Sequence, residues 1–293
     1  MKSVINHKFF IHLLFILFSA AFIIPFIYAI SISLSSESAI REFGYKLIPV
    51  EFDLAAYKTV FKNTEEIIRA YGVTIFTTFL GTFLSVLVMS LCAYPLSRQD
   101  FKWRYPITFF IFFTMLFGGG LIPSYILITQ YYGLGNTVWV YIFPSLANAF
   151  HIIIFRTFLA SLPFSLIESA KLDGGSELKI FFKIILPLSK PAIATIGLFN
   201  LIGRWNEWMT ALIYIRDSEL YTLQFLLQRI LLEVEYVRNI VDQLPVDFGA
   251  TMDVPTETVR FAMAIVAAGP MLFVFPFFQK YFAEGLTIGG VKG

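Results

Sequence analysis

Six long apolar stretches constrain this chain more than any other feature of its sequence. They lie at about 9–32, 71–96, 106–129, 138–160, 191–215 and 259–282. An α-helix rises about 1.5 Å per residue, so about 20 residues cross the roughly 30 Å hydrocarbon core of a bilayer. The composition agrees, with 57% hydrophobic and 14% charged residues and 34 phenylalanines among 293 residues. We therefore predict an all-α, polytopic membrane protein whose single transmembrane domain, 1–293, has six spans.

The first and third stretches each need a further remark. Lys2 and Lys8 precede the first one, and small residues follow near Ala29, so a cleaved signal peptide is the alternative to a retained span. A signal peptide has an apolar core of about 7–15 residues, which is shorter than 9–32, and we therefore favour the span. The third stretch contains three consecutive glycines, 118–120, followed by Pro123. We expect a broken or kinked helix there.

The lysines and arginines near the ends of the stretches indicate the orientation. With the N-terminus inside, the short cytoplasmic segments hold Lys2, Lys8, Arg98, Lys102, Arg104, Lys171, Lys179, Lys183, Lys190, Lys280 and Lys292. The positive-inside rule favours this arrangement over its mirror image. The mirror image would place these cations outside and would give the cytoplasm segment 130–137, which has no lysine or arginine. We expect both termini in the cytoplasm and two external loops, 33–69 and 216–258.

The polar segment 161–190, which we name the signature loop, separates the fourth and fifth stretches. A short helix is predicted from Ser165, acting as its opening serine, to Leu172, and Gly174 is expected to close it. A second helix is predicted from Ser176 until Pro187 stops it. This arrangement is typical of a docking surface, although an amphipathic loop without a partner is the alternative.

The spacing in this loop resembles the cytoplasmic signature of permease subunits of bacterial ABC importers, often called the EAA loop. The matching residues, with Ser169 in place of the usual second alanine, are Glu168, Ser169, Ala170, Asp173, Gly174, Ile184, Leu186 and Pro187. The resemblance implies that the loop forms a coupling helix seated in a groove of a separate ATPase subunit. It also implies the six-helix fold of type I ABC importer permeases.

A run of polar residues inside the fifth stretch is the second candidate site. Asn200, Arg204, Glu207 and Ala211 follow at helical spacing, so on one helix they form a stripe that can line a water-filled interior. Trp205 and Trp208 flank the stripe and could present flat faces to a sugar ring. We therefore predict a substrate pathway at Asn200, Arg204, Trp205, Asn206, Glu207 and Trp208. An Arg204–Glu207 pair that only locks helices together, with interfacial tryptophans, is an equal alternative.

Further motifs resemble carbohydrate permeases of the oligosaccharide branch, in particular the smaller permease of polysaccharide or uronate-oligomer importers such as the alginate importer. They are Gly119–Tyr125, Gly133–Thr137, Trp205–Trp208 and the glycine-rich tail Glu284–Gly293. The resemblance implies an oligosaccharide substrate, possibly acidic and alginate-like, imported across the bacterial inner membrane by alternating access. It implies four kinds of partner: a second homologous permease in a heterodimer, two ABC ATPases that bind ATP and Mg, an extracytoplasmic solute-binding protein, and the carbohydrate.

Chemistry within this chain is not expected. It has no phosphate-binding glycine motif with a correctly placed lysine, no metal-ligand cluster, and histidines that stand apart, so we predict no enzyme activity, no metal and no cofactor. For His151 we favour packing or a helix-to-helix hydrogen bond over a ligand role. A net charge of +2 without a basic stripe disfavours nucleic acid, and the single cysteine, Cys92, excludes an internal disulfide.

Two other transport functions stay open as alternatives. An ion-coupled secondary transporter would need inverted repeats and buried titratable groups at mid-membrane, and only Glu207 fits the second requirement. An ABC permease for a non-sugar solute, such as a peptide or a polyamine, would share the signature loop. Co-purification of an ATPase separates the ABC permeases from the secondary transporter.

Overall fold

The computed structural model describes residues 2–241, 243 and 255–288. The glycine-rich end of the tail, 289–293, with Lys292, lies outside the described residues. The described helices are α1 Lys2–Ser33, α2 Glu37–Phe43, α3 Ala55–Val60, α4 Thr64–Ser97, α5 Arg104–Leu116, α6 Leu121–Ile126, α7 Ala149–Ala160, α8 Ser165–Leu172, α9 Glu177–Ile180, α10 Leu186–Leu188, α11 Lys190–Trp205, α12 Met209–Tyr214, α13 Leu223–Val241 and α14 Glu257–Ile288. Strand-type pairing within the described part of the chain is limited to one bridge between Ser35 and Phe52, so the predicted all-α class is confirmed.

Three helices are long and apolar enough to cross a membrane without a break. They are α1 over Phe9–Ser33, α4 over its whole length, and α14 over Glu257–Gln279. Three bent pairs pass the same test together: Arg104–Leu116 with Leu121–Tyr131, Val138–Ser145 with Ala149–Ala160, and Glu177–Leu188 with Lys190–Trp205. If each bent pair contributes one span, the described residues contain up to six candidate spans by length and composition. In the third pair, Glu177–Leu188 belongs to the signature loop, 161–190, so the predicted crossing part of that pair is Lys190–Trp205.

The break predicted at the three glycines is present. The two arms of that pair meet at 113°, and Gly120 at the start of the second arm has a φ of 86°, which favours glycine. The second arm ends in a π-helical turn, Leu127–Tyr131.

Two other stretches depart from a continuous α-helix. The start of the fourth is built from two 3₁₀ turns, Val138–Tyr141 and Phe143–Ser145, instead of α-helix. In the fifth, α11 ends at Trp205 and α12 starts at Met209, so the polar stripe predicted on one helix is wrong beyond Arg204. A local contact accompanies the interruption: Glu207 Oε1 accepts a hydrogen bond of 2.8 Å from Thr210 N, in the first turn of α12.

Contacts divide the chain into two units. The first comprises Met1–Ile67 and Leu226–Pro270, and the second comprises Ile68–Phe225 and Met271–Gly293. The core of the second unit packs α4, α7, the signature loop and α11 around fully buried side chains. These include Met89, Ala93, Phe155, Ile180, Phe181, Ile185 and Ile196.

In the first unit, a buried carboxylate holds the start of α14. Glu37, on α2 and 4% exposed, accepts hydrogen bonds from Glu257 N at 3.2 Å and Thr258 N at 3.1 Å, and from the Thr258 hydroxyl at 3.0 Å. The first backbone N–H groups of a helix have no partner inside the helix, and they carry the positive end of its dipole. Glu37 therefore caps α14 from a distant part of the sequence.

Replacing Glu37 with leucine is expected to destabilise the protein by about 2–3 kcal/mol, because it leaves buried N–H donors unsatisfied. Glu37→Gln keeps an acceptor of the same shape but loses the charge, so its effect should be smaller. Thermal unfolding of the detergent-purified protein measures both effects. As a control we choose Glu42→Gln, since this residue is an exposed carboxylate at the far end of the same helix. Equal unfolding temperatures for Glu37→Leu and the unsubstituted protein would contradict the capping role.

Candidate functional site

The signature loop begins with α8, which has the predicted bounds Ser165–Leu172. Ser165 does not cap this helix, and that detail of the prediction is wrong. The backbone at Phe164 is already helical, and the carbonyls of Pro163 and Phe164 accept the first hydrogen bonds, from Leu166 N and Ile167 N. The proline–phenylalanine pair therefore starts the helix without a side-chain cap.

Two glycines make the turn after α8. Gly174 has a φ of 75°, a conformation that side chains disfavour, and its N–H donates to the Lys171 carbonyl at 3.0 Å. Gly175 donates to the Ala170 carbonyl at 2.9 Å, and a Cβ on Gly175 would lie 2.7 Å from that oxygen. The turn thus needs glycine at the first position for its dihedral angles and at the second for its close approach.

The second loop helix begins after Ser176, as predicted, but Pro187 does not end it. A π-helical turn, Phe181–Ile185, comes directly before a last helical turn that contains the proline, and the chain bends at Ser189. A π-helical turn changes the hydrogen-bond register ahead of a residue that lacks an N–H. The Ser189 hydroxyl and amide both donate to the Ile185 carbonyl, at 2.7 Å and 3.0 Å.

The residues predicted for ATPase coupling lie at different depths. Five are exposed, namely Glu168, Ser169, Asp173, Gly174 and Pro187, and three are half-buried, namely Ala170, Ile184 and Leu186. Leu172 was not in the predicted set, but its apolar side chain is 89% exposed at the end of α8. Because Ile167 and Ala170 face inward, the helical period places Leu172 on the outward face. This spacing is the sequence signal from which the exposure of Leu172 could have been predicted. Leu172 presents an apolar contact beside the glycine turn.

An ion network that the sequence did not predict joins the signature loop to the end of α4. Arg98 Nε donates to Asp100 Oδ1 at 2.8 Å, with a second contact between Nη2 and Oδ2, and Arg98 Nη1 donates to Glu177 Oε2 at 2.7 Å. Lys171 Nζ lies 3.3 Å from Asp100 Oδ2 and 3.1 Å from Glu177 Oε1. The Tyr94 hydroxyl accepts from Arg98 Nη1 at 3.0 Å. The four charged side chains therefore form a closed ring of alternating sign.

The ring shifts the pKa values of Asp100 and Lys171 in the directions that favour their charged forms. Hydrogen bonds from Arg98 hold the pKa of the Asp100 carboxyl well below its usual range. The hydrogen bond to Glu177 raises the pKa of Lys171. Both groups therefore keep their charges at neutral pH, so the ring is intact there.

A second site of interest is a cavity of about 320 Å³ in the second unit. Its polar lining comes from several segments of this unit and includes Thr77, Asn148, His151, Asn200, Arg204 and Glu207. Three of the six residues predicted for the substrate pathway therefore share one cavity, although Glu207 lies beyond the end of α11. The sequence did not predict the contributions of α4 and α7, because they depend on packing.

Arg204 makes hydrogen bonds to backbone that is not α-helical. Its Nη1 donates to the Tyr141 carbonyl at 2.8 Å, and its Nη2 donates to the Ser145 carbonyl at 3.0 Å and to the Ser85 hydroxyl at 2.7 Å. No ion pair joins Arg204 to Glu207, both of which the structure describes, so the predicted alternative of a pair between them is wrong. Arg204 therefore donates to one carbonyl in each of the two 3₁₀ turns, and the Tyr141 carbonyl also accepts from the Ser145 hydroxyl at 3.2 Å.

Of the other predicted pathway residues, Asn200 lines the cavity, whereas Trp205, Asn206 and Trp208 do not. Asn200 shares a hydrogen bond of 3.1 Å with His151 Nδ1, which confirms the helix-to-helix hydrogen bond expected of that histidine. Trp205 is 3% exposed and packs against Tyr71, with ring centroids 6.4 Å apart. Asn206 is exposed, and Trp208 is half-buried. The role of the two tryptophans in a substrate pathway stays a prediction.

Comparisons with known proteins agree on one family. Residues 7–288 match the family described as binding-protein-dependent transport system inner membrane component. The chain is 41% identical over 278 residues to the polygalacturonan/rhamnogalacturonan transport system permease protein YtcP of Bacillus subtilis (strain 168), covering 95% of each chain. It is 40% identical over 274 residues to protein LplC of the same organism, covering 92% of this chain and 90% of LplC.

A solved structure gives the same result. The fold is similar, with a TM-score of 0.74 and 32% identity, to a chain in the crystal structure of a bacterial ABC transporter involved in the import of the acidic polysaccharide alginate. The similarity covers 96% of this chain and 98% of the other. The resemblance inferred from the signature loop is therefore confirmed, and the chain belongs to the family of binding-protein-dependent transport system inner membrane components, the permeases of ABC importers.

Proposed function

We propose that this chain forms half of the translocation pathway of an ATP-driven importer for an oligosaccharide that carries carboxylates. The observation that carries this proposal is the signature loop. Its two short helices present exposed residues around the glycine turn, including Leu172, while their inner faces pack into the core of the second unit. An apolar side chain held outward on a rigid helix pair is suited to docking into a partner.

The substrate class in this proposal comes from the relatives. YtcP is named for polygalacturonan and rhamnogalacturonan, and the solved structure concerns the import of alginate. Both names refer to acidic polysaccharides, so we infer an acidic oligosaccharide for this chain. The cavity at Asn200 and Arg204 has polar groups from several helices, as a site for a hydroxylated solute requires.

The mechanism in this proposal is alternating access without covalent chemistry. A second homologous permease completes the pathway, two ATPase subunits bind ATP and Mg, and a solute-binding protein delivers the substrate from outside. With both termini in the cytoplasm, the signature loop faces the ATPases. Closure of the ATPase pair moves α8 and opens the cavity outward. The substrate and the nucleotide shift the equilibrium between the inward-open and outward-open states only because each binds the two states with different affinity.

Co-expression with the candidate partner subunits tests the proposal. We expect ATPase subunits to co-purify with the tagged permease, and membrane vesicles containing the complex to accumulate trigalacturonate when supplied with ATP and the binding protein. Maltotriose, a neutral sugar of the same length, is the control for charge. Accumulation of maltotriose alone would contradict the acidic substrate, and purification without any ATPase would contradict the importer itself.

A further inference from the structure

We propose that Arg98 is a positioning residue that latches the signature loop to the end of α4, so that a load applied at α8 is passed to that span. This inference rests on the proposed function, because the load comes from the ATPase subunits. The latch is the ion ring described above, formed by Arg98, Asp100, Lys171 and Glu177.

Arg98 is the central member of the ring. Its side chain is 5% exposed, whereas the other three charged side chains are between 41% and 55% exposed. It binds both carboxylates through different nitrogens, and its guanidinium carbon also lies 5.7 Å from the Tyr94 ring centroid and 5.8 Å from the Phe164 ring centroid. A planar guanidinium can hold two carboxylates in fixed directions, which a lysine cannot do.

The ring joins segments that are distant in sequence. Arg98 directly follows the last residue of α4, Lys171 lies on α8, and Glu177 is the first residue of α9. Lys171 and Glu177 therefore belong to the loop, one on each side of the glycine turn. Arg98 and Asp100 belong to the segment that follows α4. A displacement of α8 must either move the end of α4 or separate opposite charges.

Apolar packing supports the same connection. The rings of Tyr94 on α4 and Phe181 in the loop lie 5.4 Å apart, and Phe181 is fully buried. The Tyr94 hydroxyl donates to Glu177 Oε2 at 3.0 Å, so it also takes part in the polar contact. The ion ring lies beside this packed contact, so the loop and the end of α4 are joined by both apolar and charged contacts.

A merely stabilising ion pair and a latch differ in what they control. A stabilising pair affects how much complex assembles. A latch affects how strongly substrate delivery at the outer face changes the rate of ATP hydrolysis. The measurement is therefore the ratio of ATP hydrolysis with and without trigalacturonate-loaded binding protein, in reconstituted full complexes normalised for ATPase content. Vesicle uptake of trigalacturonate is measured beside it.

For Arg98→Gln we expect normal co-purification of the ATPases and normal basal hydrolysis. The stimulation ratio and uptake should each fall by at least about fivefold, the lower end of typical coupling between sites. Arg98→Lys keeps the positive charge but loses the planar guanidinium, so it should recover part of the stimulation ratio. Lys179→Gln, which removes an exposed charge from α9 outside the ring, should behave like the unsubstituted complex.

An unchanged stimulation ratio in assembled Arg98→Gln complexes would overturn the latch. If Arg98→Gln does not assemble, Glu177→Gln takes its place, because this side chain is 55% exposed and its neutralisation leaves the Arg98–Asp100 contact intact. A reduced ratio in Glu177→Gln then supports the latch, and an unchanged ratio overturns it. Failure of the unsubstituted chain to bring down any ATPase would contradict the proposed function instead.

Discussion

Replacing Arg204 with leucine is expected to remove most of the correctly folded permease from the membrane. The Tyr141 and Ser145 carbonyls lie in 3₁₀ turns, and Arg204 donates to both of them. Both residues line the polar cavity, and non-helical backbone at membrane depth survives only where protein groups or such a cavity satisfy it. Leucine therefore removes the protein donor that holds the two turns in place. Each hydrogen bond to a charged group contributes about 1.5–3 kcal/mol, and three are lost together.

Two variants make the Arg204 experiment specific. Arg204→Lys keeps the charge but has one donor nitrogen, so we expect an intermediate loss. Gly81→Ala leaves the arginine in place, but its Cβ would lie 2.5 Å from Arg204 Nη1 and would push the guanidinium aside. The amount of monodisperse protein on size exclusion and its apparent Tm measure all three variants. An unchanged Tm for Arg204→Leu would contradict the structural role of this side chain.

The second large effect is expected at Gly174, where valine should abolish uptake while the membrane-embedded fold persists. Gly174 has a φ of 75°, and the space around a Cβ there is open, so the strain comes from the backbone alone. β-Branched residues are genuine outliers at positive φ. Valine should therefore reshape the turn between α8 and α9 and displace the docking surface. Uptake by vesicles and the Tm of the purified permease are the two measurements.

Asparagine is the matched control at this position, because it tolerates positive φ better than other side chains do. This chain already uses it that way at Asn136, which has a φ of 55°. We expect Gly174→Asn to keep most of the uptake that Gly174→Val loses. Normal uptake and normal substrate-stimulated ATP hydrolysis in Gly174→Val would contradict the docking role of the loop.

Local sequence signals were sufficient for much of the fold. The apolar stretches indicated the membrane class, the three glycines indicated the broken third stretch, and the spacing in the signature loop gave both ends of α8. These features depend on neighbours in sequence, as helix length, glycine conformation and turn position do. The substrate cavity was predicted only in part, because its α11 residues are in one run while Thr77 and His151 come from other helices.

Features formed by distant partners could not be predicted in the same way. Arg98 and Glu177 are 79 residues apart, and Glu37 and Thr258 are 221 apart. A charged residue near the end of an apolar stretch indicates orientation, but its partner is determined only when the helices pack. The end of α11 at Trp205 was missed for a different, local reason, since Glu207 fits a helix by composition and instead accepts a hydrogen bond from Thr210 N in the first turn of α12.

The hydrogen bonds of Arg204 have a consequence for biogenesis. An arginine at the centre of a span costs about 2.5–3.5 kcal/mol to insert on translocon-based scales, and Arg204, the last residue but one of α11, carries part of that cost. The segment that precedes α7 presents the Tyr141 and Ser145 carbonyls, to which this same arginine donates. Neither segment is well suited to enter lipid alone, and each supplies what the other lacks. We therefore expect the fourth and fifth stretches to leave the insertion machinery as a pair.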